Sequence, residues 1–225
     1  MKLRVSIVMP VLNEAGLIAA RMAALAPLRA QGAELIVVDG GSSDGTPALC
    51  RGNADAVLVA PRGRARQMSA GAGAASASML LFLHADTVLP PDAIALVSDA
   101  LADRAWGRFD VRIDGRSRWL PVIAAGMNLR SRLSGVATGD QAIFVRREAF
   151  DAIGGFPEQP LMEDIELSKR LCKHGGAPAC LRAKAVTSGR RWDERGVWRT
   201  IVLMWRLRLL YWLGVPAESL AAAYR

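Results

Sequence analysis

The chain reads as an α/β protein built on a mostly parallel sheet flanked by helices, and two observations predict this. Short apolar runs at 5–9, 35–38, 56–59 and 79–83 alternate with helical segments near 14–30, 45–51, 64–77 and 91–103, the rhythm of repeated strand–helix–strand units. Runs such as Met79-Leu80-Leu81-Phe82-Leu83 are apolar throughout rather than alternating, as central strands covered by helices on both faces require.

Each element has a local reason. The first run ends in Pro10-Val11-Leu12-Asn13-Glu14, where proline and two polar residues able to cap a helix give strand, turn and helix in succession. The second ends in Asp39-Gly40-Gly41-Ser42-Ser43-Asp44-Gly45-Thr46. Glycines there permit close backbone approach, and hydroxyls and carboxylates supply hydrogen bonds, so the loop can hold a nucleoside. The fourth ends in His84-Ala85-Asp86. Ligands of open parallel sheets sit at the carboxyl ends of strands, so all three polar tips are expected on one edge.

The second half is less regular. A strand near 106–113 leads to a helix near 119–133, and Gly139-Asp140-Gln141 precedes a short strand over 142–145. That turn would face the ligand edge. Gly154-Gly155-Phe156-Pro157 marks a turn, and a helix from Glu163 to Gly175 carries two adjacent carboxylates, Glu163 and Asp164, at its amino end. An acidic pair there is ordinarily a solvated helix start that complements the helix dipole. The other polar tips give it a second reading, as chemistry.

At 225 residues and 52% apolar, the chain is expected to form one domain over 1–225: a nucleotide-binding half at 1–104, an acceptor and catalytic half at 105–192, and a helical extension at 193–225. The first apolar run is short and cut by Pro10, Asn13 and Glu14, which is not the pattern of a secretory signal, so a cytoplasmic protein is expected. Cys50, Cys172 and Cys180 lack the close pairing that zinc or redox sites need. The net charge of +8 comes from 25 Arg against 4 Lys. Arginine recognises phosphate through a planar fork, so anionic partners are expected. Nucleic acid is not among them, because no basic run is interleaved with aromatics.

Taken in order, Pro10 to Glu14, Val38 to Thr46, His84-Ala85-Asp86 and Met162-Glu163-Asp164 resemble the family 2 glycosyltransferases with the Rossmann-like GT-A fold, over about residues 3–190. Arg62-Gly63-Arg64-Ala65-Arg66-Gln67-Met68 and Arg190-Arg191-Trp192 are similar to a compact bacterial subgroup. The resemblance implies that Pro10, Val11 and Glu14 line the nucleoside pocket, that Asp39 bonds the base, and that Arg62 and Arg66 lie toward the nucleotide. Glu14 and Asp44 as helix caps and Asp39 as a brace for its own turn stand beside those roles.

His84-Ala85-Asp86 occupies the place of the family's Asp-x-Asp motif. Asp86 matches as the ligand of Mg2+ or Mn2+; His84 departs, and would hydrogen-bond the ribose instead. Asp164 matches the base that takes the acceptor's proton in an inverting displacement, with Glu163 orienting sugar or acceptor. Asp140, Gln141, Arg190, Arg191 and Trp192 would meet the diphosphate, sugar or acceptor. The expected partner is a nucleotide sugar, UDP-linked first and GDP-linked next, with an unidentified hydroxyl acceptor. Two other functions remain: a nucleotidyltransferase, disfavoured because no glycine-rich phosphate loop with a basic residue stands near the first strand, and a non-catalytic nucleotide-sugar sensor.

From Val197 to Leu213 the chain is mostly apolar, with Trp198, Trp205 and Trp212 every seven residues and Ile201 and Leu209 expected on the same face. Arg199, Arg206 and Arg208 interrupt it, and the stretch is too short and too charged to span a bilayer. Three roles compete for 197–213: packing against the catalytic domain, a homodimer contact, and peripheral attachment at the inner face of a membrane.

Overall fold

In a computed structural model, residues 5–224 are described. They form one eight-stranded sheet in the order β3-β2-β1-β4-β7-β6-β8-β5. The first four in that order are β3 (Ala56–Val59), β2 (Glu34–Asp39), β1 (Val5–Val11) and β4 (Met79–Phe82), all parallel. Helices α1 (Ala15–Ala30), α2 (Thr46–Cys50) and α3 (Arg64–Ala74) connect them. All seven residues of β1 and all four of β4 are buried, as their uninterrupted apolar runs require. Helix α3 lies so close to the sheet that a Cβ at Gly71 would stand 2.4 Å from Val8 Cγ1.

The order then reverses. After β5 (Thr87–Val88) and α4 (Ala93–Asp103), β6 (Trp106–Asp114) runs antiparallel to β7 (Phe144–Arg146), which is itself antiparallel to β4. Helix α5 (Leu120–Ser134) packs on β6, and a 3-10 turn at Gly139–Gln141 leads toward β7. The strand expected over 142–145 starts later, at Phe144, because Ala142 turns the chain with a left-handed φ of 47°. Helices α6 (Arg147–Ala152) and α7 (Glu163–Gly175) follow.

The longest strand, β8 (Ala179–Ser188), was not legible in the sequence. Arg182 and Lys184 interrupt its apolar residues, and only Ala185 and Thr187 of the strand are buried. It lies parallel to β6 and pairs antiparallel with β5, so it returns the chain to the edge where β1, β2 and β4 end.

Helices α8 (Arg190–Arg195), α9 (Val197–Trp212) and α10 (Ala217–Tyr224) close the chain. Helix α9 turns Leu207, with Leu203, Leu210 and Tyr211, onto Leu161, Met162 and Ile165, so one face packs against the start of α7 and the residues before it. The opposite face is exposed: Trp198, Val202, Trp205, Leu209 and Trp212. Val202 replaces Ile201 in that stripe; Ile201 is half-buried. Among the described residues no helix is long and apolar enough to cross a membrane.

Candidate active site

The carboxyl ends of β1, β2 and β4 lie side by side, which places the three polar tips together. The β2 tip is a tightly bonded loop. Asp39 is buried, and its Oδ2 accepts the main-chain N–H groups of Gly41 and Ser42, each at 2.9 Å, while Oδ1 accepts the Ser42 hydroxyl. Loop and β1 tip are stitched to each other: Asn13 N–H donates to Ser42 Oγ at 2.8 Å, Glu14 N–H to Thr46 Oγ1 at 2.8 Å, and Ala15 N–H to Asp44 Oδ2 at 2.9 Å. Asp44 therefore caps α1 from outside the helix. Buried Gln67 of α3 donates to the carbonyls of Val11 and Val38, clamping the ends of β1 and β2.

Pro10 and Val11 are buried strand residues paired with Val38 and Asp39. Glu14 is half-buried: burial lifts its carboxyl above the usual range, opposed by Arg190 and reinforced by Asp86.

The second cluster forms where the β4 tip meets the turn before β7 and the start of α7. His84 Nδ1 stands 3.6 Å from Asp140 Oδ1. The His84 ring lies against Gly139 so closely that a Cβ there would fall 2.3 Å from its Cε1. Gly139 N–H donates to Asp164 Oδ2 at 2.9 Å, and Ile165 N–H to Asp164 Oδ1 at 2.7 Å. A cavity of about 10 Å3, room for one water, is lined by His84, Gly139, Glu163 and Asp164 with Met68, Phe82, Ile143 and Phe156.

Burial raises both carboxyls of the acidic pair. For Glu163, Asp164 adds to the rise and Arg64 opposes it; for Asp164 the two main-chain donors and His84 oppose it. Asp140 goes the other way. Burial pushes it up, but the hydrogen bond and charge of His84, with Arg64 and Arg191, outweigh that and hold it below the usual range.

Backbone strain collects at these places. Among the described residues, the non-glycine residues with positive φ are Asn13 (54°), Ala142 (47°) and Met162 (63°). Each adjoins a residue expected at the site: Glu14, Gln141 and Glu163. Left-handed backbone at a non-glycine residue costs on the order of 1 to 3 kcal/mol and persists where surrounding packing enforces it. Buried Met162, wedged with Leu161 against Leu207 and Leu220, fits that description.

Not every residue expected at the site reaches it. Gln141 is fully buried, and its Oε1 accepts the Thr138 N–H at 3.1 Å, so its amide closes the turn rather than facing the ligand edge. Trp192 packs with Val111, Ile113, Leu120 and Ala124. Arg62 is exposed, and exposed Arg66 comes within 4.0 Å of Glu158. Strand β8 delivers the next two arginines: exposed Arg190 acts on Glu14, and half-buried Arg191 lies 4.5 Å over the Tyr224 ring and feels Arg64, Asp140 and Asp86.

Two arginines not singled out in the sequence belong here. Arg64, first residue of α3, acts on Glu14, Asp140, Glu163 and Arg191. The run Arg62, Arg64 and Arg66 contained the clue, since the charge of Arg64 reaches Glu163. Arg130 of α5 has Nε and Nη2 buried without a hydrogen-bond partner; burial lowers it, and the field of Asp164 raises it.

Asp86 is half-buried and accepts a hydrogen bond from the Thr87 hydroxyl at 3.3 Å. Its oxygens suit a hard divalent ion. Among the described residues no three His, Cys, Asp or Glu side chains gather as a ligand set, so such an ion would need phosphate oxygens and water beside Asp86.

The family model described as glycosyl transferase family 2 matches residues 6–156. The chain belongs to that family. Its fold is shared with GT-A transferases of known structure. The mannosyltransferase PcManGT from Pyrobaculum calidifontis, solved with GDP-Man and Mn2+, is 23% identical with a TM-score of 0.67 over 91% of this chain and 60% of its own. Glucosyl-3-phosphoglycerate synthase from Mycobacterium tuberculosis, solved with Mn2+, UDP and glucosyl-3-phosphoglycerate, is 21% identical, with a TM-score of 0.65 over 96% and 81%. TarS 1–349 from S. aureus is 15% identical, with a TM-score of 0.65 over 84% and 61%. This family member thus spans about three fifths of the TarS chain. No curated protein sequence matches it.

Proposed function

We propose that the protein is an inverting glycosyltransferase, moving a sugar from a nucleotide-diphosphate sugar, UDP-linked first and GDP-linked next, to a hydroxyl acceptor. The observation that carries this reading is the meeting of Asp164 with His84, Gly139 and Asp140 at the edge where β1, β2 and β4 end. A carboxylate fixed by two main-chain donors is a positioned base. UDP and GDP-Man in fold relatives from the same enzyme class support the donor class.

Asp164 takes the proton of the acceptor hydroxyl. The oxygen then bonds the anomeric carbon as its bond to the diphosphate breaks on the opposite face. Charge on the leaving diphosphate is met by Arg64, Arg190 and Arg191, whose guanidinium groups suit phosphate. The β1 and β2 tips, with Pro10, Val11, Glu14 and Asp39, form the nucleoside side, and His84 reaches the ribose. Glu163 and Asp140 orient sugar or acceptor. Mg2+ or Mn2+ at Asp86, when bound, would supply further positive charge to the diphosphate.

The test is the melting temperature of the protein against UDP, GDP, CDP and dTDP, each with and without manganese, since a ligand that binds only the folded state stabilises it by mass action. The expected result is a shift with one carrier, enlarged by manganese. No shift with any carrier would overturn the reading.

A further inference from the structure

Two helices present apolar stripes outward. On α9 these are Trp198, Val202, Trp205, Leu209 and Trp212, spaced alternately by four and three residues on one face and 55–77% exposed. On α5, Val122, Leu129 and Leu133, with Trp119 just before the helix, repeat at helical spacing and are 41–80% exposed. The rings of Trp119 and Trp198 lie 5.5 Å apart, which joins the stripes into one patch at that end. Contiguous exposed apolar surface of this kind marks a docking face.

Its charge selects the partner. Neither α5 nor α9 contains a single Asp or Glu, whereas exposed Arg118, Arg199 and Arg206 border the patch. Among the described residues no carboxylate lies within ion-pair distance of these three. A two-fold dimer through this face would set the patch against its own copy and bring like charges together. An anionic lipid surface satisfies both features, because tryptophan settles at the headgroup boundary and arginine meets the lipid charge. Helix α9, at 16 residues, would lie in that boundary rather than cross it.

We infer that the α5–α9 face is a docking surface for an anionic lipid bilayer. The inference is independent of the proposed transfer reaction. Helix α9 packs through Leu207, on the face away from the stripe, against Leu161 and Met162, directly before Glu163.

Cosedimentation of the full chain with vesicles of phosphatidylglycerol and phosphatidylcholine in equal parts, against phosphatidylcholine alone, tests it without any nucleotide or sugar. Binding is expected to the anionic vesicles only, weakening as salt rises. The double variant Trp205→Ser/Trp212→Ser keeps the net charge and should partition on the order of tenfold less. Val59→Ser, which removes an exposed apolar side chain from β3, should bind like the parent. Unchanged circular dichroism would show that the variants are folded. Equal binding by the double variant would reduce the effect to non-specific basicity and overturn the inference. So would failure to bind anionic vesicles, or a dimer in light scattering that the double variant abolishes while vesicles bind neither form.

Discussion

The main-chain N–H of Gly139 donates to Oδ2 of Asp164 across 2.9 Å, tying the turn before β7 to the first turn of α7. With Ile165 N–H on the other oxygen, the carboxylate is fixed at both ends, and the lone pairs left over define where a proton can be received. Asp164 is held by two backbone groups, which is the arrangement that preorganises a base.

Asp164→Asn keeps one carbonyl acceptor for these donors but removes the basic oxygen. Transfer should fall about 10²- to 10⁴-fold in kcat, while nucleotide affinity measured by calorimetry stays near the parent value, because the base acts on the acceptor. Full turnover in the variant would remove Asp164 from the mechanism.

Gly139→Ala tests the other partner. The new Cβ would lie 2.3 and 2.4 Å from His84 Cε1 and Nε2, so the imidazole must move, and with it the contact to Asp140. Displacement of a positioned group by about an ångström costs on the order of a hundredfold in rate. The expected outcome is a loss of kcat of that order with the melting temperature little changed. Unchanged kinetics would mean that His84 takes no part in positioning.

The sequence foretold the site unevenly, for physical reasons. Strands β1, β2 and β4 were readable because each is an apolar run ending in polar residues, and their parallel register then puts Glu14, Asp39 and Asp86 on one edge. Strand β8 was unreadable because it is half-buried and carries Arg182 and Lys184, so neither a continuous nor an alternating pattern appears. Without β8, Arg190 and Arg191 had motif but no location. Gln141 shows the converse, since its composition suggests a ligand contact but its amide serves the turn that aims Asp140 and Gly139. A one-dimensional pattern does not reveal which polar groups fold back on their own loop.

Asp86→Ala addresses the divalent ion. If Asp86 supplies the carboxylate, the variant should lose the manganese-dependent part of the nucleotide-induced rise in melting temperature and keep the nucleotide-only part. An unaltered manganese effect would place the ion elsewhere.

Glu163→Gln should stabilise the fold while impairing it as an enzyme. Burial first, and Asp164 next, raise the Glu163 carboxyl above its ordinary value. A carboxyl raised in the folded state contributes stability below its unfolded value and loses it as pH rises through the folded value. The variant should therefore melt above the parent at neutral pH, the gap closing as pH falls below the ordinary glutamate range. Identical melting curves at neutral pH would show that the buried charge imposes no penalty.

The charged core beneath α5 gives the last prediction. Arg108 is fully buried in β6, ion-paired to Asp110, and donates to Ser131 Oγ at 3.0 Å and to the Asn128 carbonyl at 3.1 Å, while Arg132 closes on both Asp110 oxygens at 2.7 and 2.9 Å. Burial pushes the Asp110 carboxyl up, but its hydrogen bonds to Arg132 and Arg108 and their charges outweigh that and hold it low. Removing one partner of a buried pair leaves the other charge uncompensated, at a cost of about 3 to 5 kcal/mol. Asp110→Ala should lose that much in urea unfolding. A double change of Arg108 and Asp110 to apolar residues of similar volume should recover most of it, because no buried charge is then stranded and exposed Arg132 is left to water. In the parent, stability from this carboxylate is present above the ordinary aspartate value and lost as pH falls through the depressed one, so acid unfolding should narrow the gap between parent and Asp110→Ala. A small loss in Asp110→Ala at neutral pH would mean that water reaches Arg108 once the carboxylate is gone.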